Sequence, residues 1–386
     1  MKSLPRILLL IDKGTGYGRG LLKGIAEYSL LHGPWSFYWD EPFYCSSKQN
    51  LMRILKEWKP DGIIVRIEEN LDKIAAAGIP LVYAADQKLD IPLNSPSAIY
   101  NCDWQATSQM AAEHLIGQGF KRFAYCGYSE LYWSRQRGES FRTFLQGKGF
   151  DAFIYENNID KTKSWNKELP QLANWLRQLP KPIGLMACND DRAQQIVEAC
   201  KFAGILIPDE VAIVGVDNDE LICTLSVPQL SSVNLNPVKM GYEISELLNE
   251  LMKTGSSDRV VVDKPTHVHI RQSTDVLVID DAEVAMAMRY IRESNRNMIQ
   301  LQDVVEQTGL SKRGLELRFK KVLGSSILDE IKRCKINEVC KLLLTTNWSV
   351  TKIAMYMGFS GSDHIARYFS QIKGISPVEF RKRHKN

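Results

Sequence analysis

The 386-residue sequence has no C-x-x-C pair, no G-x-S-x-G, no G-x-x-x-x-G-K-[ST] and no long hydrophobic run. The first absence, with eight Cys scattered and none near a His at ligand spacing, argues against a zinc site or a disulfide framework and for reduced thiols. The next two remove the usual signatures of an acyl-transfer nucleophile and of a phosphate-cradling loop. No metal, cofactor or catalytic residue is expected. The apolar stretch in MKSLPRILLLIDKG is about six residues, too short for a secretory core or a membrane span. It reads as a first core strand, and the chain as cytoplasmic with no membrane association.

What is present is an ordinary globular composition, 44% hydrophobic and 24% charged, over a length that implies two or three domains. The net charge of +4 is unevenly placed. Residues 281–386 hold 19 Lys and Arg against 11 Asp and Glu, whereas the preceding 280 hold 30 against 34. A basic final third on a slightly acidic body points to an anionic partner, nucleic acid first.

From residue 6 to about 270, short apolar runs alternate with helical patterns. RILLLID (6–12), GIIVR (62–66), PLVYAAD (80–86), RFAYCGY (122–128), DAFIYE (151–156), PIGLMACND (182–190) and VAIVGVD (211–217) are the strand candidates, and residues 19–30 the first helix. Repeated β-then-α units imply parallel sheets with right-handed crossovers. Two such sets, split near residue 102, predict an α/β domain over 1–273 with two lobes and a cleft between them. One large doubly wound sheet is the alternative.

The run VAIVGV ends in Asp217, Asn218 and Asp219. Acidic and amide side chains there serve either to cap a following helix or to bind a polar ligand, because open α/β sheets hold ligands beyond the carboxyl ends of their strands.

After residue 281 the pattern is helical. Residues 284–294 predict one helix, 301–324 a helix-turn-helix with Gly309 in the turn and Ser311 as N-cap, 327–346 a long amphipathic helix, and 349–374 a second helix-turn-helix around Gly358. Such a unit lays its second helix in the major groove of double-stranded DNA. The groove-facing candidates are Lys312, Arg313 and Arg318 in the first unit and Ser362, Asp363, His364, Arg367 and Gln371 in the second. Leu315, Phe319, Ile365 and Phe369 are expected to face the core. A solvated basic face is the plainer reading of any one of these cations.

The stretch IAMYMGFSGSDHIARYFSQIKGISPVEFRK resembles the signature of the AraC-type transcriptional regulators. Ile353, Ala354, Gly358, Phe359, Phe369, Gly374, Ser376, Pro377, Phe380 and Arg381 match without insertion. A departure is Gly361-Ser362-Asp363-His364, where that family usually carries polar residues followed by Tyr-Phe. Further forward, ACNDDRAQQIVEACKFAGILIPDEVAIVGVDNDE and PQLSSVNLNPVKMG are similar to the sugar-binding domain of LacI-type repressors and periplasmic sugar-binding proteins. The combination, in this order, is similar to the xylose-operon activators of enteric bacteria.

That resemblance implies a ligand role for Asp217, with Asp190 and Asp103 at matching strand ends and Arg137 as the sugar-binding Arg. Carboxylates and a guanidinium fork suit the hydroxyls of a pyranose. Its C–H faces suit an aromatic ring, for which Trp133, Tyr17 and Trp35 are candidates, each also a plausible core residue. Arg19 is a second donor candidate, and Asn218 shares the turn with Asp217. The resemblance further implies a homodimeric, sugar-responsive activator of xylose catabolism that contacts promoter DNA (through the domain at 281–386) and RNA polymerase. The alternatives are a regulator answering another aldose, a sugar- or nucleoside-processing enzyme using the cleft carboxylates, or a transporter's solute-binding protein.

Overall fold

The computed structural model describes residues 4–39, 51–66, 71–84, 96–157, 165–256, 261–276, 279, 281–294 and 299–384. It divides into two compact units, Met1–Val276 and Leu277–Asn386.

The first unit holds two six-stranded sheets. The chain runs β1 (Arg6–Leu10), α1 (Gly16–His32), β2 (Ser36–Trp39), α2 (Leu51–Glu57), β3 (Gly62–Val65), α3 (Leu71–Ala75), β4 (Leu81–Ala84) and β5 (Ser97–Cys102). It then crosses into α4 (Trp104–Gly117), β6 (Phe123–Tyr128), α5 (Tyr132–Gly147), β7 (Ala152–Asn157), α6 (Trp165–Gln178), β8 (Ile183–Ala187), α7 (Asp190–Ala203), β9 (Val211–Val216), α8 (Glu220–Leu225) and β10 (Ser231–Asn234). It returns for α9 (Pro237–Thr254) and β11 (Val261–Asp263), and crosses again into β12 (His267–His269) and a short 3-10 turn. The sheet orders are β11-β5-β4-β3-β1-β2, all parallel, and β12-β10-β9-β8-β6-β7, in which β12 alone is antiparallel. The central strands β3, β4, β8 and β9 are buried at every position, as helix-covered parallel strands must be.

The first lobe is therefore not a contiguous stretch ending near residue 102: α9 and β11 complete it from 135 residues further on or more. Three crossings make the hinge, and they are laced together. Asp103 N–H donates to Asp263 O (2.9 Å), Thr266 N–H to Asn234 O (2.9 Å), and Asn236 N–H to Asp263 Oδ1 (3.2 Å). The short strands β2, β10 and β11 were absent from the sequence pattern, because runs of three or four residues such as SSVN and VVD are too short for an alternation to stand out. The end of the run PLVYAAD, residues 85–86, lies outside the described residues.

α1 packs on α9 at backbone distance. A Cβ on Gly24 would stand 1.9 Å from Val238 O, and one on Gly241 2.1 Å from Leu21 O. The two glycines admit the close approach.

The second unit is all helix: α10 (Ala282–Glu293), α11 (Leu301–Glu306), α12 (Lys312–Leu323), α13 (Ile327–Thr345), α14 (Val350–Tyr356), α15 (Ser362–Lys373) and α16 (Pro377–His384). Its two cores share α13. Ile327 and Ile331 join Leu315 and Phe319 in one, while Ile336, Val339 and Leu343 join Ile365 and Phe369 in the other. Ser311 caps α12 through Gly314 N–H at 3.3 Å, as expected. Gly358 takes a left-handed backbone (φ 69°) in the second turn, but Gly309 does not in the first; there its N–H is held by Glu283 Oε2 at 3.0 Å.

Gly24→Ala should destabilise the first unit by at least about 1–3 kcal/mol, because its methyl meets backbone that cannot rotate away. Thermal denaturation checks this; the same substitution at solvent-facing Gly117, which has nothing within 4 Å, should cost little or stabilise.

Candidate functional sites

At the carboxyl end of β9 the backbone of Asp217 and Asn218 turns through φ 102° and 53°, both in the left-handed region that non-glycine residues rarely occupy. Such strain persists only where surroundings hold it. Asn218 N–H donates to Ser232 Oγ (3.0 Å), its amide donates to Asn234 Oδ1 (3.0 Å), and its carbonyl accepts from Arg271 (2.8 Å). Beneath the turn, Asp190 accepts from Asp219 N–H (2.7 Å) and Ser232 Oγ–H (2.6 Å). Asp190 is 1% exposed and holds up the turn.

The turn presents Asp217 to Arg137 of α5, at 3.5 Å and with exposures of 14% and 4%. Arg137 also donates to Cys188 O at 2.5 Å. Asp217 Oδ1 and Arg137 Nε nevertheless lack hydrogen-bond partners among the described residues. A buried acceptor and donor left open side by side are what a polyhydroxyl ligand needs. Trp133, one turn before Arg137, lies half-buried with its ring centroid 5.1 Å from that guanidinium. These three are brought together.

The other candidates are placed differently. Asp103 caps α4 through Ala106 N–H (2.9 Å) and belongs to the hinge. Tyr17 is 1% exposed, donates its hydroxyl to Asp263 (2.9 Å), and carries Arg66 over its ring at 4.3 Å. Arg19 reaches Gly14 O (2.8 Å) and Asp219 Oδ2 (3.0 Å), an ion pair from the first lobe to the second. Trp35 packs into a core with Tyr28 and Phe37, at ring separations of 5.2 and 6.2 Å.

Sequence reasoning missed three residues here. Arg66 ends β3, the same kind of strand end that singled out Asp217, and its charge acts on Asp217. Asp263 ends the three-residue β11, too short to stand out, and Trp104 opens α4 with its Nε1 buried and without a partner among the described residues.

Burial raises both strand-end carboxyls: Asp190 to about 8, helped by the charge of Asp217, and Asp217 to about 6, opposed by Arg137 and Arg66. A folded-state value above the unfolded one means the folded chain keeps a proton that the unfolded chain releases. That stabilisation is full below the unfolded value and is lost as pH rises through the folded one. His114 and His269, both lowered to about 4 by burial, act oppositely but only below about pH 6.5.

In the second unit, α12 exposes Lys312, Arg313, Leu317, Lys320 and Lys321, and α15 exposes Asp363, His364, Arg367 and Gln371. Ser362 is half-buried at the first position of α15. His364 accepts or donates a hydrogen bond with Ser360 Oγ (3.0 Å) and stands edge-on to Phe359. Arg318 is turned aside: it grips Asp281, the N-cap of α10, at 3.1 and 3.2 Å. Leu315, Phe319, Ile365 and Phe369 are fully buried, as expected.

Residues 112–274 match the family model of a periplasmic-binding-protein-like domain, and residues 304–383 that of a helix-turn-helix domain. The chain thus joins a periplasmic-binding-protein-like domain to a helix-turn-helix domain of AraC type, an arrangement it shares with DNA-binding transcription regulators. Among its relatives is the xylose operon regulatory protein of Escherichia coli K12, 28% identical over 97% of this chain and 96% of the relative. The xylose operon regulatory protein of Haemophilus influenzae is 28% identical over 97% of this chain and 98% of its own. The solved structure of the xylose-binding transcription activator xylR is 27% identical with a TM-score of 0.80, covering both chains completely. By name these relatives are regulators of transcription. Among the described residues no helix is long and apolar enough to cross a membrane.

Between pH 7 and 8.5 the histidine contributions are complete and Asp190 still titrates, so the melting temperature of the first unit should fall across that window. Asp190→Asn should flatten the slope in a calorimetric scan; an unchanged slope would place the titrating group elsewhere.

Proposed function

We propose that this chain is a sugar-responsive activator of pentose-catabolism genes and that D-xylose is its ligand. The observation that carries the sugar assignment is the Arg137–Asp217 pair beside Trp133, one open donor and one open acceptor next to an apolar ring. Similarity to xylose operon regulators over 97% of the chain supports a pentose as that sugar. Arg66 and Arg19 line the first-lobe side, and sugar binding favours the arrangement in which the lobes meet. A ligand shifts that equilibrium only through unequal affinity for the two arrangements. The outcome is read by α12 and α15 as major-groove helices, in a homodimer that recruits RNA polymerase in the cytoplasm.

Calorimetry against D-xylose and a panel of other aldoses tests the ligand. Asp217→Asn should cost about 1–3 kcal/mol of affinity, roughly 5- to 150-fold. No heat from any aldose at millimolar concentration refutes the sugar reading.

For DNA, Arg367→Ala should weaken promoter binding while leaving the sugar isotherm unchanged, and wild-type binding should fall steeply with salt as counterions compete for the phosphates. A footprint unaffected by Arg367→Ala removes α15 from base reading.

A further inference from the structure

The two helix-turn-helix units superimpose in sequence register. Leu315 and Phe319 in α12 occupy the places of Ile365 and Phe369 in α15, and left-handed Gly324 the place of Gly374. In this register Leu317 corresponds to Arg367. At about 100° per residue, each lies roughly 200° around its helix from the first buried anchor, on the ridge farthest from the core. Leu317 is 63% exposed there.

Its neighbours on that ridge are cationic: Arg313 one turn before, Lys320 and Lys321 one turn after, all exposed. A lone exposed leucine needs no explanation. A leucine at the summit of a basic helix face, where the sister helix places an arginine, is a different matter. Of the other long cations of the helix, Lys312 is exposed at its first position and Arg318 is held by Asp281 through two contacts. The long basic side chains around Leu317 suit phosphates on either side of a groove, while the residue at the centre of that face offers no hydrogen bond.

Resting on the reading of α12 as a groove helix, we propose that Leu317 is a specificity-determining residue that recognises thymine through its C5-methyl group. The methyl is the one apolar feature on a base edge in the major groove, and cytosine and the purines lack it. The two reading heads therefore work by different chemistry: α15 by the hydrogen-bonding head of Arg367, α12 by apolar contact.

The test uses the full-length protein, with and without the sugar ligand, in a selection from randomised duplex DNA, comparing wild type with Leu317→Ala. Each selected thymine is then replaced by uracil, which removes only the methyl. The expected result is one thymine position per α12 footprint whose preference Leu317→Ala loses. Uracil there should weaken wild type about fourfold, the value of one buried methyl, and leave Leu317→Ala unaffected. An unaltered melting temperature establishes that the variant is folded. The same motif from both proteins, with no methyl dependence that the variant abolishes, overturns the inference. So does a variant that keeps motif and affinity but fails to activate transcription, which would put Leu317 on a protein-contact surface. If wild type selects no motif at all, the assignment of α12 and α15 as reading helices falls with it.

Discussion

A guanidinium and a carboxylate enclosed together at the carboxyl end of β9 are the constraint around which the ligand domain is organised. Neither charge is tolerable alone in that setting, since an isolated buried ion costs several kcal/mol. Arg137 and Asp217 offset one another only in part: Asp217 remains raised to about 6, and each side chain keeps an unmade hydrogen bond. The rest of the lobe is built to hold this incomplete pair in place. Asn218 is bound on three sides, and Asp190, buried and raised to about 8, supports the turn from below. A carboxyl that is largely neutral near pH 7 does this without adding a second full negative charge beside Asp217.

The same turn reaches the other lobe. Asp219, two residues beyond Asp217, accepts from Arg19, and a Cβ on Gly16 would lie 2.4 Å from its carboxylate oxygen. The pair with Arg137 and the contact between lobes thus lie within three consecutive residues. The hinge has its own lacing through Asp263, which ties Asn236 and Tyr17 and, through the Tyr17 ring, Arg66. Anything bound against Asp217 and Arg66 acts on groups wired directly to both the closing surface and the hinge.

In the reader unit the organising element is α13, whose single apolar stripe serves two cores in succession. Because each core is completed by the buried side of one reading helix, the outward sides are free to differ. They do differ: leucine among lysines on α12, arginine with histidine and glutamine on α15.

Much of this was legible in the linear pattern. The runs GIIV, IGLMA and VAIVGV are buried at every position, and a continuous apolar run of that length has few other stable fates. The helix-turn-helix pairs were legible because caps, apolar pairs and glycines recur at matching spacing. Asp217 and Arg137 were identified as partners for a sugar, but as separate residues 80 apart. Their meeting depends on α5, which follows β6, and the turn after β9 standing at the carboxyl end of one sheet with only β8 between the two strands, which no local signal encodes. Asp190 and Tyr17 are buried and hydrogen-bonded within the protein, because position along the chain specifies where a side chain starts and not what covers it. Arg318 shows the same limit in the reader, its charge evident and its partner Asp281 37 residues distant. Local periodicity and capping chemistry thus determined which segments are strands and helices, since those depend on near neighbours along the chain. The long-range contacts decided which charges are open to a ligand or to DNA and which are already spent on the protein itself, because that depends on what the fold brings against each one.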